Sequence, residues 1–191
     1  MKKIALLSLM ALASGCANVS RMVGGTQDDA SIAANQFELI KMLEGEWTGE
    51  GHFGDESMPA ETRFRVTAAG STVEETLAPG SPHEMVTMYH LDNGRLMLTH
   101  YCAAGNQPRM VARPENFVGT SATIRFEFTG ATNLSKPTDG HMHEAVITIE
   151  GKDKLTAKWT YYEGGKASHT AVFELKRKPA TKVTQAFSGA F

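Results

Sequence analysis

Seven side chains have the types and the spacing to do chemistry in one enclosed place. Glu75 sits between Val73 and Leu77, so a strand there turns its carboxylate to the same side as two apolar residues. His100 and Cys102 continue the two-residue step begun by Leu96 and Leu98. His143 stands in the same relation to Ala145, Ile147 and Ile149, and Trp159 and Tyr161 extend the step of Leu155 and Ala157. Arg109 follows Asn106 and Gln107 soon after His100, where a strand end would bring it to the rim of the same space. Polar and charged groups of this variety are costly to bury unless they are paired or ligand-bound. That cost makes Glu75, His100, Cys102, Arg109, His143, Trp159 and Tyr161 the candidate ligand-binding set.

Each residue also has a plainer role. His100 can be a core histidine bonded to Tyr161 or Glu75, and Cys102 a small buried hydrophobe. A nucleophilic Cys102 needs an adjacent base, and His100 on its own face is about 7 Å away by strand rise. Glu75 is either an inward carboxyl with a raised pKa or a residue on a strand of different register. Arg109 can clamp a ligand carboxylate through two parallel hydrogen bonds. His141 and His143 share a strand face that zinc would accept, but no third ligand stands near them in sequence, so no metal site is assigned. The chain has no G-x-S-x-G, P-loop, Rossmann or H-E-x-x-H motif. No catalytic residue and no cofactor is therefore expected, and an enzyme is not the leading reading.

The elements that position these residues are almost all strands. A short helix is expected from about Asp29 to Leu43, with Ile32, Phe37, Ile40 and Leu43 on its apolar side. From Trp47 onward the apolar period is two. Ten strands are expected, at 47–54, 61–69, 71–77, 83–91, 94–102, 108–113, 121–129, 142–150, 154–162 and 168–177. Gly-, Pro- and Asn-rich turns separate them, among them Asp92-Asn93-Gly94 and Gly164-Gly165. Sequential short strands with no helix between them imply an all-β, up-and-down antiparallel barrel, since closure removes exposed edges. Ile124, Phe126, Phe128, Leu155, Ala157, Trp159, Ala171, Phe173 and Leu175 are expected inside. Arg125, Glu127, Lys158 and Glu174 are expected outside, opposite to the apolar outer band of a membrane barrel. The barrel domain is placed at 31–178 and a loose tail at 179–191.

The first residues carry a separate signal. Lys2 and Lys3 precede an apolar run from Ile4 to Ala13, too short to span a bilayer and suited to a signal peptide. The run ends in Ala13-Ser14-Gly15-Cys16, which resembles the lipobox of bacterial lipoproteins. That resemblance implies a signal peptide over 1–15, lipidation of Cys16, and a flexible lipid-anchored tether over 16–30. Ala17 after the cysteine, by the same resemblance, implies the outer membrane facing the periplasm. Of 191 residues, loss of the first 15 leaves 176, enough for one domain with a single core. Loss of Lys2 and Lys3 takes the formal charge from −2 to −4, and no basic patch is present, so nucleic acid is not an expected partner. With Cys16 lipidated, Cys102 would have no disulfide partner, because the chain has only two cysteines.

The stretch Leu43-Glu44-Gly45-Glu46-Trp47-Thr48-Gly49-Glu50-Gly51 runs a leader helix into G-x-W-x-G on a first strand. In this it resembles the calycin group: lipocalins, fatty-acid-binding proteins and nitrobindins. Pro79 to Met110, with the later His141-Met142-His143 and Trp159 to Lys166, is similar to an uncharacterised family of bacterial lipocalin-like proteins. The resemblance covers most of 43–178 and implies a barrel whose Trp47 closes the base. It implies no activity, and nothing here matches the nitrobindin haem-ligand motif. The expected function is an envelope lipoprotein that binds a small, partly apolar ligand inside the barrel, a ligand carboxylate being one feature that would suit Arg109. One alternative is a metal, haem or enzymatic site built on His100 and His143. The other is a structural envelope protein with a filled barrel.

Overall fold

The computed structural model describes residues 27–117 and 119–179. The expected signal peptide, Cys16, the tether up to residue 26 and the tail from residue 180 lie outside the described residues.

Helix α1 (Gln27–Lys41) is followed by ten strands: β1 (Gly45–Phe53), β2 (Glu56–Thr67), β3 (Thr72–Leu77), β4 (Met85–Asp92), β5 (Arg95–Tyr101), β6 (Gln107–Ala112), β7 (Ser121–Thr132), β8 (His141–Glu150), β9 (Lys154–Glu163) and β10 (Lys166–Arg177). Every strand pairs antiparallel with its sequence neighbour, and β1 also pairs with β10, so the sheet closes. The all-β up-and-down barrel expected from the alternation is the fold. The helix begins two residues earlier than expected, so Gln27–Ala30 are helical rather than part of a tether. Strand β2 begins five residues earlier than expected, because Gly54-Asp55 is a two-residue turn that pairs Phe53 with Glu56.

Closure depends on one glycine of the G-x-W-x-G stretch. Gly49 faces Leu175 across the β1–β10 ladder, and a Cβ there would run into the carbonyl oxygen of Glu174. Only glycine lets the two backbones come this close.

The two ends of the barrel differ. One end carries the β2–β3, β4–β5, β6–β7 and β8–β9 turns, and α1 lies across it. Ala33, Phe37 and Ile40 form a buried stripe at helical spacing and join the barrel core with Leu43 and Trp47. Gln36 ties the helix to the β6–β7 connection by donating to the carbonyls of Arg113 (2.8 Å) and Glu115 (3.3 Å). The Trp47 indole donates to the Leu43 carbonyl at 2.8 Å. The Arg177 guanidinium lies over the Trp47 ring, 4.3 Å from its centroid, and donates to the carbonyls of Met42 and Glu44, both at 2.7 Å. It thereby holds the short turn that joins α1 to β1.

The expected faces hold along most of each strand. Ile124, Phe126, Leu155, Ala157, Trp159, Ala171, Phe173 and Leu175 are buried, and Arg125, Glu127, Lys158 and Glu174 are exposed. On β4, Thr87 and Tyr89 are buried and Met85 packs on the core, so the face of His90, Val86 and Met88 is the outer one. The outer wall carries ion pairs such as Arg65–Glu74 (2.8 Å) and Lys154–Glu150 (2.7 Å).

Candidate functional site

Polar groups do enter the barrel, and one layer of them is continuous. Strand pairing aligns Glu75 with Thr87 and Thr87 with His100, on three adjacent strands. The Tyr89 hydroxyl donates to Glu75 Oε2 at 2.6 Å. Thr62 donates to the Thr76 carbonyl at 3.0 Å and approaches Glu75 Oε1 at 3.5 Å. Thr87 Oγ1 bonds His100 Nδ1 at 2.9 Å. The imidazole also packs on Trp159, with ring centroids 4.8 Å apart.

Burial dominates the electrostatics of this layer. It pushes the Glu75 carboxyl up to about 7, against the lowering effect of hydrogen bonds from Tyr89, Thr62 and Thr87. It pushes the His100 imidazole down to about 4. Burial, then the charge and hydrogen bond of Glu75, raise the Tyr89 phenol well above its ordinary value. His100 Nε2 is buried without a hydrogen-bond partner. Glu75, His100 and Trp159 are therefore inside, as expected. The partner of His100 is Thr87, not Tyr161 or Glu75.

Four other expected members of the set lie elsewhere. Arg109 is exposed on the outer wall, because Pro108 and Met110 occupy the buried positions of β6. Cys102 is free and only half-buried: it is the first residue after β5, where its N–H bonds the Asn106 carbonyl. Tyr161 is half-buried, stacked on His169 at 4.9 Å. Its hydroxyl occupies the space where a Cβ on Gly140 would sit, so any larger residue there has to displace the Tyr161 ring.

His143 leaves the face of Ala145, Ile147 and Ile149. The β8–β9 register shifts between Met142 and Glu144, and Met142 takes the place against the core. A bulge inserts one residue and reverses the alternation beyond it. His143 is instead held between the rings of Phe128 and Tyr162, at 4.5 and 4.0 Å, both nearly parallel to it. Phe128, expected inside, is half-buried in this stack. His141 is buried, packs on Phe128 at 4.6 Å and bonds His143 Nδ1 through Nε2 at 2.9 Å.

The protons of that pair can be placed. His141 Nδ1 lies 2.7 Å from the Asp139 carbonyl, which only accepts, so Nδ1 carries hydrogen. In neutral His141, Nε2 is then the acceptor and His143 Nδ1 the donor. Burial and the neighbouring His141 lower the His143 pKa, more than Glu144 raises it. Among the described residues no group of three or more His, Cys, Asp or Glu side chains could hold a metal ion. His143 touches Phe128, His141 and Tyr162, while His100 touches Thr87 and Trp159, so the two histidines do not form one site.

The open space is at the end away from α1. A cleft of about 550 Å³ is lined by Phe53, Met58, Ala60, Leu77, Met85 and Phe173, with the Pro79–Ser81 turn and His83 at its border. Ala60, Leu77 and Met85 sit two residues along β2, β3 and β4 from Thr62, Glu75 and Thr87, so the polar layer lies directly beneath this apolar one. Its cause is a mismatch of strand lengths. Pairing of β2 with β3 begins at Thr62 and Leu77, and the Ala78 N–H still reaches the Glu61 carbonyl. From Glu56 to Ala60, β2 has only β1 beside it. By alternation, the next backbone donor on the free side is that of Pro59, which has no N–H.

Sequence reasoning missed Phe53 and Met58, which stay 36% and 47% exposed beside buried neighbours. The available signal was an apolar residue next to Pro59 in a stretch otherwise too polar for a core. Leu77 and Phe173 were already on inward faces, whereas alternation alone left open which face of β4, that of Met85 or that of His90, is inside. The fold and site together define a closed up-and-down β-barrel with a helix across one end and an apolar cleft at the other. No protein-family model matches the chain, and no curated protein matches it in sequence.

Proposed function

We propose that this is a lipocalin-like binding protein of the bacterial envelope, anchored by lipid on Cys16, and that its barrel takes a small, largely apolar ligand at the open end. The observation that carries this reading is the cleft of about 550 Å³ walled by Phe53, Met58, Leu77, Met85 and Phe173. Its size and lining fall within the range of small-molecule sites, roughly 300–1,000 Å³ and mostly apolar. The ligand sits above the Glu75–His100 layer rather than between His100, His143 and Trp159. Pro59 favours a small molecule over an added peptide strand, since it removes a donor from the free edge of β2. The anchor rests on Ala13-Ser14-Gly15-Cys16 and gives membrane attachment without a spanning segment.

Nile red, a neutral fluorophore, tests the cleft. Its emission is expected to rise on adding the protein, and Ala60→Phe, which fills the cleft, is expected to abolish the rise while the thermal midpoint stays cooperative. Binding unchanged in Ala60→Phe, or no binding by the parent chain, would leave the filled structural barrel as the better reading. The anchor is tested separately by mass spectrometry of the mature N-terminus and by release of Cys16→Ser from the membrane fraction.

A further inference from the structure

The ligand-binding reading leaves the polar end of the ligand open, and the charges around the cleft address it. Asp55 in the β1–β2 turn and Glu56 at the start of β2 stand between the lining residues Phe53 and Met58, and Glu84 stands between the lining residues His83 and Met85. All three are exposed. Asp55 and Glu56 make no ion pair among the described residues, and Glu84 spends one oxygen on the Gly80 N–H at 2.6 Å. No lysine or arginine lines the cleft. The carboxylate of Glu61, which does, is already matched by Lys178 at 2.8 Å. The lysines of this end, Lys136 and Lys166, belong to the β7–β8 connection and the start of β10, and Lys136 faces Asp139 at 4.0 Å. Arg109, the residue that would have held a carboxylate, is on the outer wall.

We propose that the cleft selects an amphiphile whose polar end is a protonated amine over one ending in a carboxylate. The proposal rests on the ligand-binding reading of the same cleft. An apolar chain seated against Phe53, Leu77, Met85 and Phe173 leaves its polar end at the rim, where three carboxylates and no Lys or Arg meet it. Like charge at a rim acts against the wrong ligand as much as opposite charge favours the right one. Because the rim is exposed, the preference is screened by salt.

Displacement of Nile red from the full-length Cys16→Ser chain tests this with dodecylamine, dodecanol and dodecanoate, at about pH 8, where the amine is protonated and the carboxylic acid ionised. Dodecylamine is expected to displace the dye at concentrations about tenfold lower than dodecanoate, and lower than dodecanol, with the gap closing in about 0.5 M salt. The combined variant Asp55→Asn, Glu56→Gln, Glu84→Gln is expected to bind the dye as before and to lose the gap. A dodecanoate or dodecanol that competes as well as the amine overturns the proposal, and so does a gap that survives in the variant. Failure of the dye to bind at all, or its indifference to Ala60→Phe, is a different result, which removes the ligand-binding reading itself.

Discussion

Where α1 crosses the barrel, Trp47 is wholly buried, its indole nitrogen is bonded and Arg177 covers its ring. At the opposite end Phe53 and Met58 stand half in solvent beside a strand edge with no partner. The two ends use similar residue types to different ends. At the closed end Ala33, Phe37, Ile40, Leu43 and Trp47 all pack into one core, so their burial stabilises the fold. At the open end the neighbours are missing on one side, so the same kind of surface is left for something else to cover. Between them, the Glu75–His100 layer is closed to solvent and keeps both ionisable groups neutral over much of the acid range.

The contrast can be broken first at Trp47. Trp47→Ala removes the centre of the closed end and is expected to cost about 3–5 kcal/mol, read as a lower denaturant midpoint with an unchanged slope. A loss no larger than that of a surface substitution would mean that α1 and its contacts contribute little to closure.

The next largest effect is in the middle layer and depends on pH. The folded Glu75 has its pKa raised to about 7, so its contribution favours the fold below the unfolded value and is lost as pH rises through 7. The folded His100 has its pKa lowered to about 4, so below the unfolded value its contribution falls as pH drops toward 4. Over the shared window from about pH 4.5 to 6.5 the two slopes oppose each other. Glu75→Gln is expected to unmask His100, giving stability that rises by about 3 kcal/mol across that window. Urea titrations at several pH values check this, and a profile parallel to that of the parent chain would show that the two groups are not buried together in the folded state.

The smallest effect is expected at the open end. Met58→Ser should change stability by less than about 0.5 kcal/mol, because the side chain is already exposed, while weakening Nile red binding. A stability loss comparable to that of Trp47→Ala would make the cleft part of the core and erase the difference between the ends.

Much of this was legible along the chain. Alternation identified ten strands, and the inward positions Leu155, Ala157, Trp159, Ala171, Phe173 and Leu175 of β9 and β10 are buried as expected. The pairing of Thr87 with His100 was also within reach: Asn93-Gly94 is a two-residue turn, so Asp92 faces Arg95, and counting back from it aligns Thr87 with His100. Glu75 was correctly placed by Val73 and Leu77. His143, Tyr161, Cys102 and Arg109 were not. For His143 the reason is that the parity of a strand persists only while its register does, and the β8–β9 register shifts between Met142 and Glu144. Arg109 lies within β6, on the face opposite the buried Pro108 and Met110, and not at a strand end that would bring it to the rim.

The sequence by itself determined the class of fold, the number of strands, the presence of one short helix before them and an inward imidazole at His100, because all of these follow from local periodicity and turn chemistry. The tertiary structure alone decided where the barrel is open. The cleft exists because β2 outruns β3 by several residues on one side, and that mismatch becomes visible only when the pairing of Thr62 with Leu77 is known. The long β3–β4 connection at 78–84 hides that pairing from any reading of the chain in order.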